Sequence, residues 1–185
     1  MNKNAEYKRF IRPEIGKTVT INEKELPLSP TPPDIEGPFY KPNAPPRADA
    51  PLSGYTIPTI TISGFVVDIH RVPIKGAVLD VWHADAAGEY DHVGFKMRGV
   101  FFTDENGYYK IRTIVPGEYK ISDEGEPDDF RCPHIHFKVR HPQFKELTTQ
   151  LYFPDNPHNA SDHWFDSRRV IKVPDGEFQF VLECC

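Results

Sequence analysis

Short stretches of alternating apolar and polar residues begin at Thr59 and recur to the end of the chain. A period of two is typical of β-strands that bury one face. Because the turns between these stretches are short, the pattern favours an antiparallel β-sandwich or barrel over a βαβ fold. The predicted strands are Thr59–Val67, Ala77–Trp82, Phe101–Thr103, Tyr108–Arg112, His134–Arg140, Leu147–Phe153 and Phe178–Leu182.

Two turn signals separate predicted strands in the middle of the chain. One is Pro73–Gly76, and the other is Asp104–Gly107, which contains an Asn-Gly pair. Asn-Gly supplies positive φ at low cost and is a strong hairpin signal. Phe101–Thr103 and Tyr108–Arg112 are therefore predicted to form a hairpin.

The first 56 residues are rich in proline and weakly periodic, which excludes long helices there. We expect residues 1–56 to wrap the core as extended loops, with one short helix near Ala5–Ile11. Residues 57–185 are expected to form the β-sandwich. At roughly 150 residues per domain, the 185 residues form one all-β domain with a Pro-rich N-terminal wrap.

Composition narrows the class of partner. The net charge is −5 and the mean hydropathy is −0.53, and no apolar run approaches the ~20 residues of a membrane span. Nucleic-acid and basic membrane-surface binding are not expected, because both need a cationic face. Three cysteines, two of them adjacent at the end, are not a disulfide framework. A polar start without an apolar signal region adds to the expectation of a cytoplasmic protein.

The strongest local chemical signal is the stretch Arg131–Val139, which contains His134 and His136. Residues i and i+2 of a strand share a face, about 6.6 Å apart at ~3.3 Å per residue. Two imidazoles at that spacing can tilt onto one metal ion, whereas Ile135 and Phe137 would point into a core. The alternative is that the two histidines are solvated residues on a strand face.

A metal ion would need ligands beyond these two histidines, and the sequence alone allows three possible sets. Cys132 falls on the same face as the histidines and would complete a Cys/His/His zinc site. A cupin-like barrel would require a Glu shortly after the His pair, but His141 is the nearest donor. Tyrosine is the third option.

Five stretches favour tyrosine, because together they closely resemble the intradiol ring-cleavage dioxygenases. They occur in the family's order over roughly residues 31–155, and several motifs in register are more specific than any one of them. The stretches are Thr31–Tyr40, Gly76–Tyr90, Tyr109–Tyr119, Arg131–Phe137 and Leu147–Phe153.

The resemblance implies a non-haem Fe(III) enzyme with a transthyretin-like sandwich. Its metal ligands would be Tyr90, Tyr119, His134 and His136. Tyr119 would also leave the metal and accept a substrate proton, while Arg131 would stabilise charge on the ring and Gln150 would orient its neighbours. Residues Ile35, Gly37, Pro38 and Tyr40 would line the substrate pocket.

The implied reaction inserts both atoms of dioxygen into a small aromatic diol between its vicinal hydroxyls and yields a cis,cis-muconate-type diacid. The size of the chain is similar to that of protocatechuate dioxygenase subunits, which favours a substituted catechol such as protocatechuate. A substrate carboxylate would need a cation, for which Arg47, Lys96 and Arg98 are candidates. A homo-oligomer is compatible with the family.

The sequence departs from the family at two places. The family commonly shows Arg-Pro-x-His-Ile-His, whereas Cys132 and Pro133 stand here in the exchanged order. The segment between Tyr90 and Tyr119 is also shorter than in catechol-type members. Two alternatives therefore stay open: a metal-free transthyretin-like binding module, and a zinc hydrolase that uses Cys132, His134 and His136.

Overall fold

The computed structural model describes residues 7–11, 18–22, 26–47, 59–121, 130–172 and 176–185. Within these ranges the regular structure is almost entirely β. The strands are β1 (Tyr7–Ile11), β2 (Thr18–Asn22), β3 (Ile60–Asp68), β4 (Val78–Trp82), β5 (Arg98–Phe102), β6 (Tyr108–Thr113), β7 (Tyr119–Lys120), β8 (Phe130–Arg131), β9 (His134–His141), β10 (Phe144–Tyr152) and β11 (Phe180–Leu182). Two 3₁₀ helices, Pro157–Ala160 and Ser167–Arg169, lie between β10 and β11.

Two sheets pack face to face. The larger sheet has the order β10-β9-β4-β5 with antiparallel neighbours, and the smaller has the order β11-β3-β6. In the smaller sheet β6 is antiparallel to β3, whereas β11 joins β3 in parallel. Two short pairs, β1-β2 and β7-β8, complete the described strands. The predicted all-β sandwich is confirmed, with one parallel pair at an edge.

The core lies between the sheets because the alternating apolar side chains of each strand point inward. Phe137 from β9 and Phe180 from β11 meet there with ring centroids 5.0 Å apart. Removal of this apolar surface from water is the main favourable contribution to folding. Other members of the core from both sheets are Ile62, Val66, Leu79, Val81, Tyr109, Ile111, Ile135 and Val139.

The chain reverses at Asp104–Gly107, but the predicted hairpin is wrong. β5 pairs with β4 in the larger sheet, and β6 pairs with β3 in the smaller one. The Asp104 carboxylate accepts hydrogen bonds from the N–H groups of Asn106 and Tyr108, at 2.8 and 2.9 Å. These local bonds fix the turn without fixing which strands pair. The turn therefore carries the chain across the core from one sheet to the other.

The short helix predicted near Ala5–Ile11 is also wrong over the described residues, where Tyr7–Ile11 is strand β1. It runs antiparallel to β2, with Tyr7 opposite Asn22. β2 is rich in β-branched residues, which favour extended chain. The predicted boundary at residue 56 lies outside the described residues and stays a prediction.

The N-terminal segment first bonds to the smaller sheet, where the Thr31 N–H donates to the Val181 carbonyl at 3.0 Å, and residues 34–47 then cross the outer face of the larger sheet. The Asp34 N–H donates to the Thr148 carbonyl at 2.8 Å, and the Arg47 N–H donates to the Val100 carbonyl at 2.8 Å. These bonds anchor the segment to β10 at one end and β5 at the other. The polar face of the larger sheet is therefore covered rather than open to water. None of the helices in the described part of the chain has the length and hydropathy needed to cross a membrane.

Candidate metal centre and active site

His134 and His136 lie side by side on the outer face of the larger sheet, opposite the core residues Ile135 and Phe137. The two imidazole centroids are 4.9 Å apart, with the ring planes at 74°. Each residue is only 2% exposed. They are therefore not solvated strand residues, and the predicted shared face is present.

The orientation of the His134 ring is fixed by a backbone carbonyl. Its Nδ1 lies 2.6 Å from the carbonyl oxygen of Cys132, which can only accept, so Nδ1 carries the proton. The lone pair on Nε2 then faces the Tyr90 hydroxyl at 3.4 Å. Burial, followed by the charge of Arg131, lowers the pKa of His134 to about 3. The imidazole is therefore neutral, as a metal ligand must be.

His136 is held by stacking. Its ring lies on the indole of Trp82, with centroids 4.8 Å apart and planes 8° from parallel. Gly37 also lies against this ring, where a Cβ would be 3.5 Å from Cε1 of His136. Burial lowers the pKa well below its ordinary value. Its buried Nδ1 finds no hydrogen-bond partner among the described residues, which is costly unless the site has a further occupant.

Two glycine turns bring Tyr90 and Tyr119 together. Gly88 has a φ of +84°, and a Cβ there would lie 2.4 Å from a carbonyl oxygen of the turn before Tyr119. A Cβ on Gly117 would lie 2.6 Å from a carbonyl oxygen and an N–H nitrogen of the turn before Tyr90. Real side chains do not tolerate such distances. Direct contact between the two backbones therefore sets the separation of the tyrosines.

The two phenol rings are nearly perpendicular, with centroids 5.8 Å apart and planes at 85°. Burial raises the pKa of Tyr90 well above its ordinary value, and the neighbouring Tyr119 raises it further. Burial also raises the pKa of Tyr119, which Arg131 partly opposes. Both hydroxyls keep their protons at neutral pH unless a cation displaces them.

The four predicted ligands form one cluster. The Tyr119 and His134 ring centroids are 5.8 Å apart, and those of Tyr90 and His136 are 6.4 Å apart. Two neutral imidazoles and two phenols offer a mixed N/O donor set. Phenolate is a hard anionic donor, so this set suits a hard, highly charged cation such as Fe(III). The orphaned Nδ1 of His136 and the neutral imidazoles fit such an occupant.

The zinc alternative does not match the geometry. The Cys132 thiol donates to a carboxylate oxygen of Asp162 at 3.2 Å. Among the described residues, no three side chains of the His, Cys, Asp and Glu types come together as a metal-binding group. Cys132 is therefore part of a hydrogen-bond network behind the two histidines rather than a third ligand beside them.

Arg131 lies next to the cluster, opposite Tyr119 in the β7-β8 pair. Its Nε donates to Asp162 at 3.0 Å and its Nη2 donates to Gln150 at 2.5 Å. The guanidinium carbon is 4.6 Å from the ring centroid of Trp164. Arg131 and Gln150, both predicted as site residues, are therefore in direct contact. An arginine held in this way presents a fixed positive charge.

The four predicted pocket residues are spread along one loop. Ile35 is 43% exposed, and its carbonyl accepts a hydrogen bond from Gln150 at 3.2 Å. Gly37 faces His136, and Pro38 is exposed. Tyr40 packs on Trp82 and donates its hydroxyl to Asp80 at 2.9 Å.

The aromatic residue of this loop that meets the tyrosines is Phe39, which sequence reasoning missed. Its ring stacks on Tyr90, with centroids 4.4 Å apart and planes at 23°. It also meets Tyr119 edge-on at 6.2 Å. The sequence places two aromatic residues in succession there, and no pattern shows which of them faces the tyrosines.

No sequence pattern identified three further residues of the site, which are Tyr152, Asp162 and Trp164. Asp162 and Trp164 lie in irregular chain between the two 3₁₀ helices and hold Arg131. The Tyr152 hydroxyl donates to the Trp164 carbonyl at 2.8 Å and lies 3.3 Å from the Gln150 amide oxygen. Their roles depend on contacts between distant segments, which alternation along the chain does not report.

Two of the three candidate cations, Arg98 and Arg47, donate hydrogen bonds to backbone carbonyl groups. The buried Arg98 donates to the carbonyls of Phe39 and Asp91 and so anchors the loop that carries Phe39. Arg47 donates to the Phe95 carbonyl at 3.4 Å, and Lys96 is exposed. The structure therefore gives Arg98 a loop-anchoring role.

Known proteins share this fold and these motifs. The chain is 35% identical over 148 residues to a catechol 1,2-dioxygenase of Candida albicans, which covers 69% of this chain and 48% of that protein. It is 36% identical over 152 residues to a chlorocatechol 1,2-dioxygenase of a Pseudomonas species, with 73% and 58% covered. The chain thus spans about half the length of these relatives.

A solved structure of a dioxygenase domain is also similar to this chain. The dioxygenase domain of a fusion with a carbohydrate-binding protein from Streptomyces sp. SirexAA-E is 39% identical, with a TM-score of 0.72 over 85% of this chain and 100% of that one. The family model described as Dioxygenase matches residues 35–179, which include both tyrosines and both histidines of the cluster. The chain belongs to the intradiol ring-cleavage dioxygenase family.

Proposed function

We propose that this protein is a non-haem Fe(III) dioxygenase that opens a catechol ring between its two hydroxyls and releases a cis,cis-muconate-type diacid. The observation that carries the proposal is the convergence of Tyr90, Tyr119, His134 and His136 at one end of the larger sheet. These four residues would hold the iron. A bound ferric ion would supply Lewis acidity and three positive charges, two of which the tyrosinates would balance.

Tyr119 is proposed to take a proton from the incoming diol. Its ring is edge-on to Tyr90 and is less buried than Tyr90. A tyrosinate beside a bound diol is a strong base, because an ordinary phenol has a pKa near 10. Protonation of Tyr119 lets a catecholate enter without adding net charge to a buried site, where uncompensated charge is expensive.

Arg131 is proposed to stabilise negative charge on the substrate ring. Its guanidinium is buried, permanently charged and fixed by Gln150 and Asp162. A preorganised charge in a site from which water is excluded stabilises a developing anion more strongly than one in water. Gln150 has an indirect role, since its amide bridges Arg131 to the carbonyl of Ile35 in the substrate loop.

The substrate is proposed to be a substituted catechol. Relatives named for catechol and chlorocatechol support this class. Protocatechuate, the expectation from chain length, would need a cation for its carboxylate. Arg98 is committed to the carbonyls of Phe39 and Asp91, and the substituent named for the chlorocatechol relative is uncharged, so we propose an uncharged substituent. Ile35, Gly37, Pro38 and Phe39 are the loop residues proposed to contact the ring.

Oxygen uptake against a panel of diols tests the reaction and the substrate together. The panel contains catechol, 3-chlorocatechol, hydroxyquinol and protocatechuate, with product ultraviolet spectra and iron content measured on the same samples. We expect one dioxygen consumed per ring and a diacid spectrum for at least one diol. The purified protein should be coloured by tyrosinate-to-iron absorption and should bleach when the iron is removed. A colourless protein that cannot be loaded with iron would support the metal-free binding module instead.

A further inference from the structure

Asp162 is a fully buried carboxylate that the proposed chemistry does not use. Its side chain has 0% exposure, and it lies in irregular chain between the two 3₁₀ helices. A buried carboxylate is costly unless its charge is paired and its oxygens accept hydrogen bonds. Its partners therefore indicate what it is for.

Among the described residues, the hydrogen-bond partners of the Asp162 side chain are Arg131, Cys132 and Trp164, and all three belong to the Arg131 environment. Oδ2 accepts from Nε of Arg131 at 3.0 Å, from the Cys132 N–H at 2.9 Å and from the Cys132 thiol at 3.2 Å. Oδ1 accepts from the N–H of Trp164 at 2.9 Å. The Trp164 indole in turn lies against the guanidinium. One carboxylate thus holds Arg131, the residue after it and the aromatic ring beneath it.

The exchanged order of Cys132 and Pro133 gives this carboxylate two of its donors. Where the family commonly has proline directly after the arginine, there is no N–H and no thiol at that position. Here Cys132 supplies both, and both point to the same oxygen of Asp162.

We propose that Asp162 is a positioning residue for Arg131: it fixes the guanidinium against Trp164 with Nη2 on Gln150, so that the charge faces the substrate site at one angle. The catalytic consequence rests on the proposed function, because it needs Arg131 to act on a bound ring. The effect of Asp162 on the position of the Arg131 side chain does not depend on the proposed function. Without the carboxylate, a long side chain with several rotatable bonds would sample other orientations.

The kinetic test compares three variants, which are Asp162→Asn, Asp162→Glu and the control Asp166→Asn. Asp162→Asn keeps the shape, but with its oxygen on Trp164 it turns an NH2 group toward the donors of Arg131 and Cys132. We expect kcat to fall about 10- to 100-fold, as for other residues that orient a site through a neighbour. KM, iron content and colour should change little. Asp162→Glu keeps the charge and should recover part of kcat.

Asp166→Asn is the matched control. Asp166 also pairs with an arginine Nε, that of Arg168, at 3.0 Å, but this arginine is exposed on the far side of the segment. Asn caps a helix start about as well as Asp. We expect wild-type kcat for this variant. A wild-type kcat for Asp162→Asn, or equal losses for the two variants, would overturn the kinetic part of the proposal.

A second measurement uses metal-free protein labelled with ¹⁵N at arginine. The Nε–H of Arg131 should exchange with solvent far more slowly than that of Arg168, and Arg131→Lys identifies its signal. Asp162→Asn should shift or abolish this signal, whereas Asp166→Asn should move the signals of Arg168 and of Arg169, whose Nε lies 3.9 Å from Asp166, and leave that of Arg131 in place. Fast exchange at Arg131 in the wild-type protein would overturn the proposal even if no Asp162 variant folds.

The two measurements separate the possible failures. If the wild-type protein consumes no dioxygen with any diol, the proposed function fails while the arginine signals still decide whether Asp162 holds Arg131. If the enzyme is active but the Arg131 signal is indifferent to Asp162, the positioning role alone is wrong.

Discussion

The two faces of strand β9 are equally buried but are stabilised in different ways. On the inner face, Ile135, Phe137 and Val139 pack into the core between the sheets. On the outer face, His134 and His136 are just as inaccessible. They are held by a carbonyl, an indole and the covering loop rather than by apolar packing.

The difference shows where this fold tolerates change. Inner-face contacts are numerous and non-directional, so residues of similar volume can replace one another. Outer-face contacts are few and directional, and Nδ1 of His136 has no hydrogen-bond partner in the part of the chain that the structure describes. The outer face is organised for chemistry at some cost in stability, and each of the following substitutions tests one side of this contrast.

The largest effect is expected from His134→Ala. Loss of an imidazole from a four-ligand set should remove the bound iron and reduce oxygen uptake to background. The matched inner-face variant Ile135→Val should keep its iron and lose only about 0.5–1.5 kcal/mol of stability. Iron analysis and urea unfolding of both proteins make the comparison. Full metal retention in His134→Ala would refute the ligand assignment.

Phe137→Ala should have the largest effect on the fold itself. A fully buried Phe replaced by Ala typically costs about 3–5 kcal/mol through lost burial and a cavity. The midpoint of urea unfolding should fall accordingly in the metal-free protein. Phe137→Leu, which retains much of the volume, should cost considerably less. Equal stability of the two variants would mean that the inner face is not packed as described.

Tyr119→Phe should separate metal binding from substrate activation. Tyr119 is the ligand expected to leave the metal when the diol binds, so the other three should suffice to hold the iron, but the base that accepts the substrate proton is gone. Loss of a positioned base typically costs about 10²- to 10⁴-fold in rate. Stopped-flow measurement of diol binding, alongside iron content, checks this. Binding of the diol at the wild-type rate would remove Tyr119 from the proposed proton transfer.

Cys132→Ala should have the smallest effect. It deletes the thiol donor to Asp162 but keeps the N–H donor to the same oxygen. One lost hydrogen bond of this kind costs about 0.5–1.5 kcal/mol, and iron content should not change. Thermal unfolding and metal analysis give the answer. Loss of the metal in this variant would revive the zinc reading of Cys132, His134 and His136.

The sequence predicts the parts of this molecule that repeat along one strand. Alternation located the strands of both sheets and placed His134 and His136 on one face, because a strand has a fixed period of two. The tyrosines could be named only by resemblance, since no local rule brings Tyr90 to Tyr119. The paired partners of β5 and β6 were mispredicted because a tight turn specifies a reversal and not a sheet. Asp162 and Phe39 depend on contacts between segments far apart in sequence.

The backbone contact between the turns at Gly88 and Gly117 has a consequence for loop engineering. These turns clamp the chain on either side of the segment 89–116, so the spacing of the two phenols does not depend on how many residues that segment contains. Family members with longer excursions there can keep the same tyrosine geometry. Insertions at the exposed Val93, which lies within this segment, should therefore leave the separation of the two tyrosines unchanged.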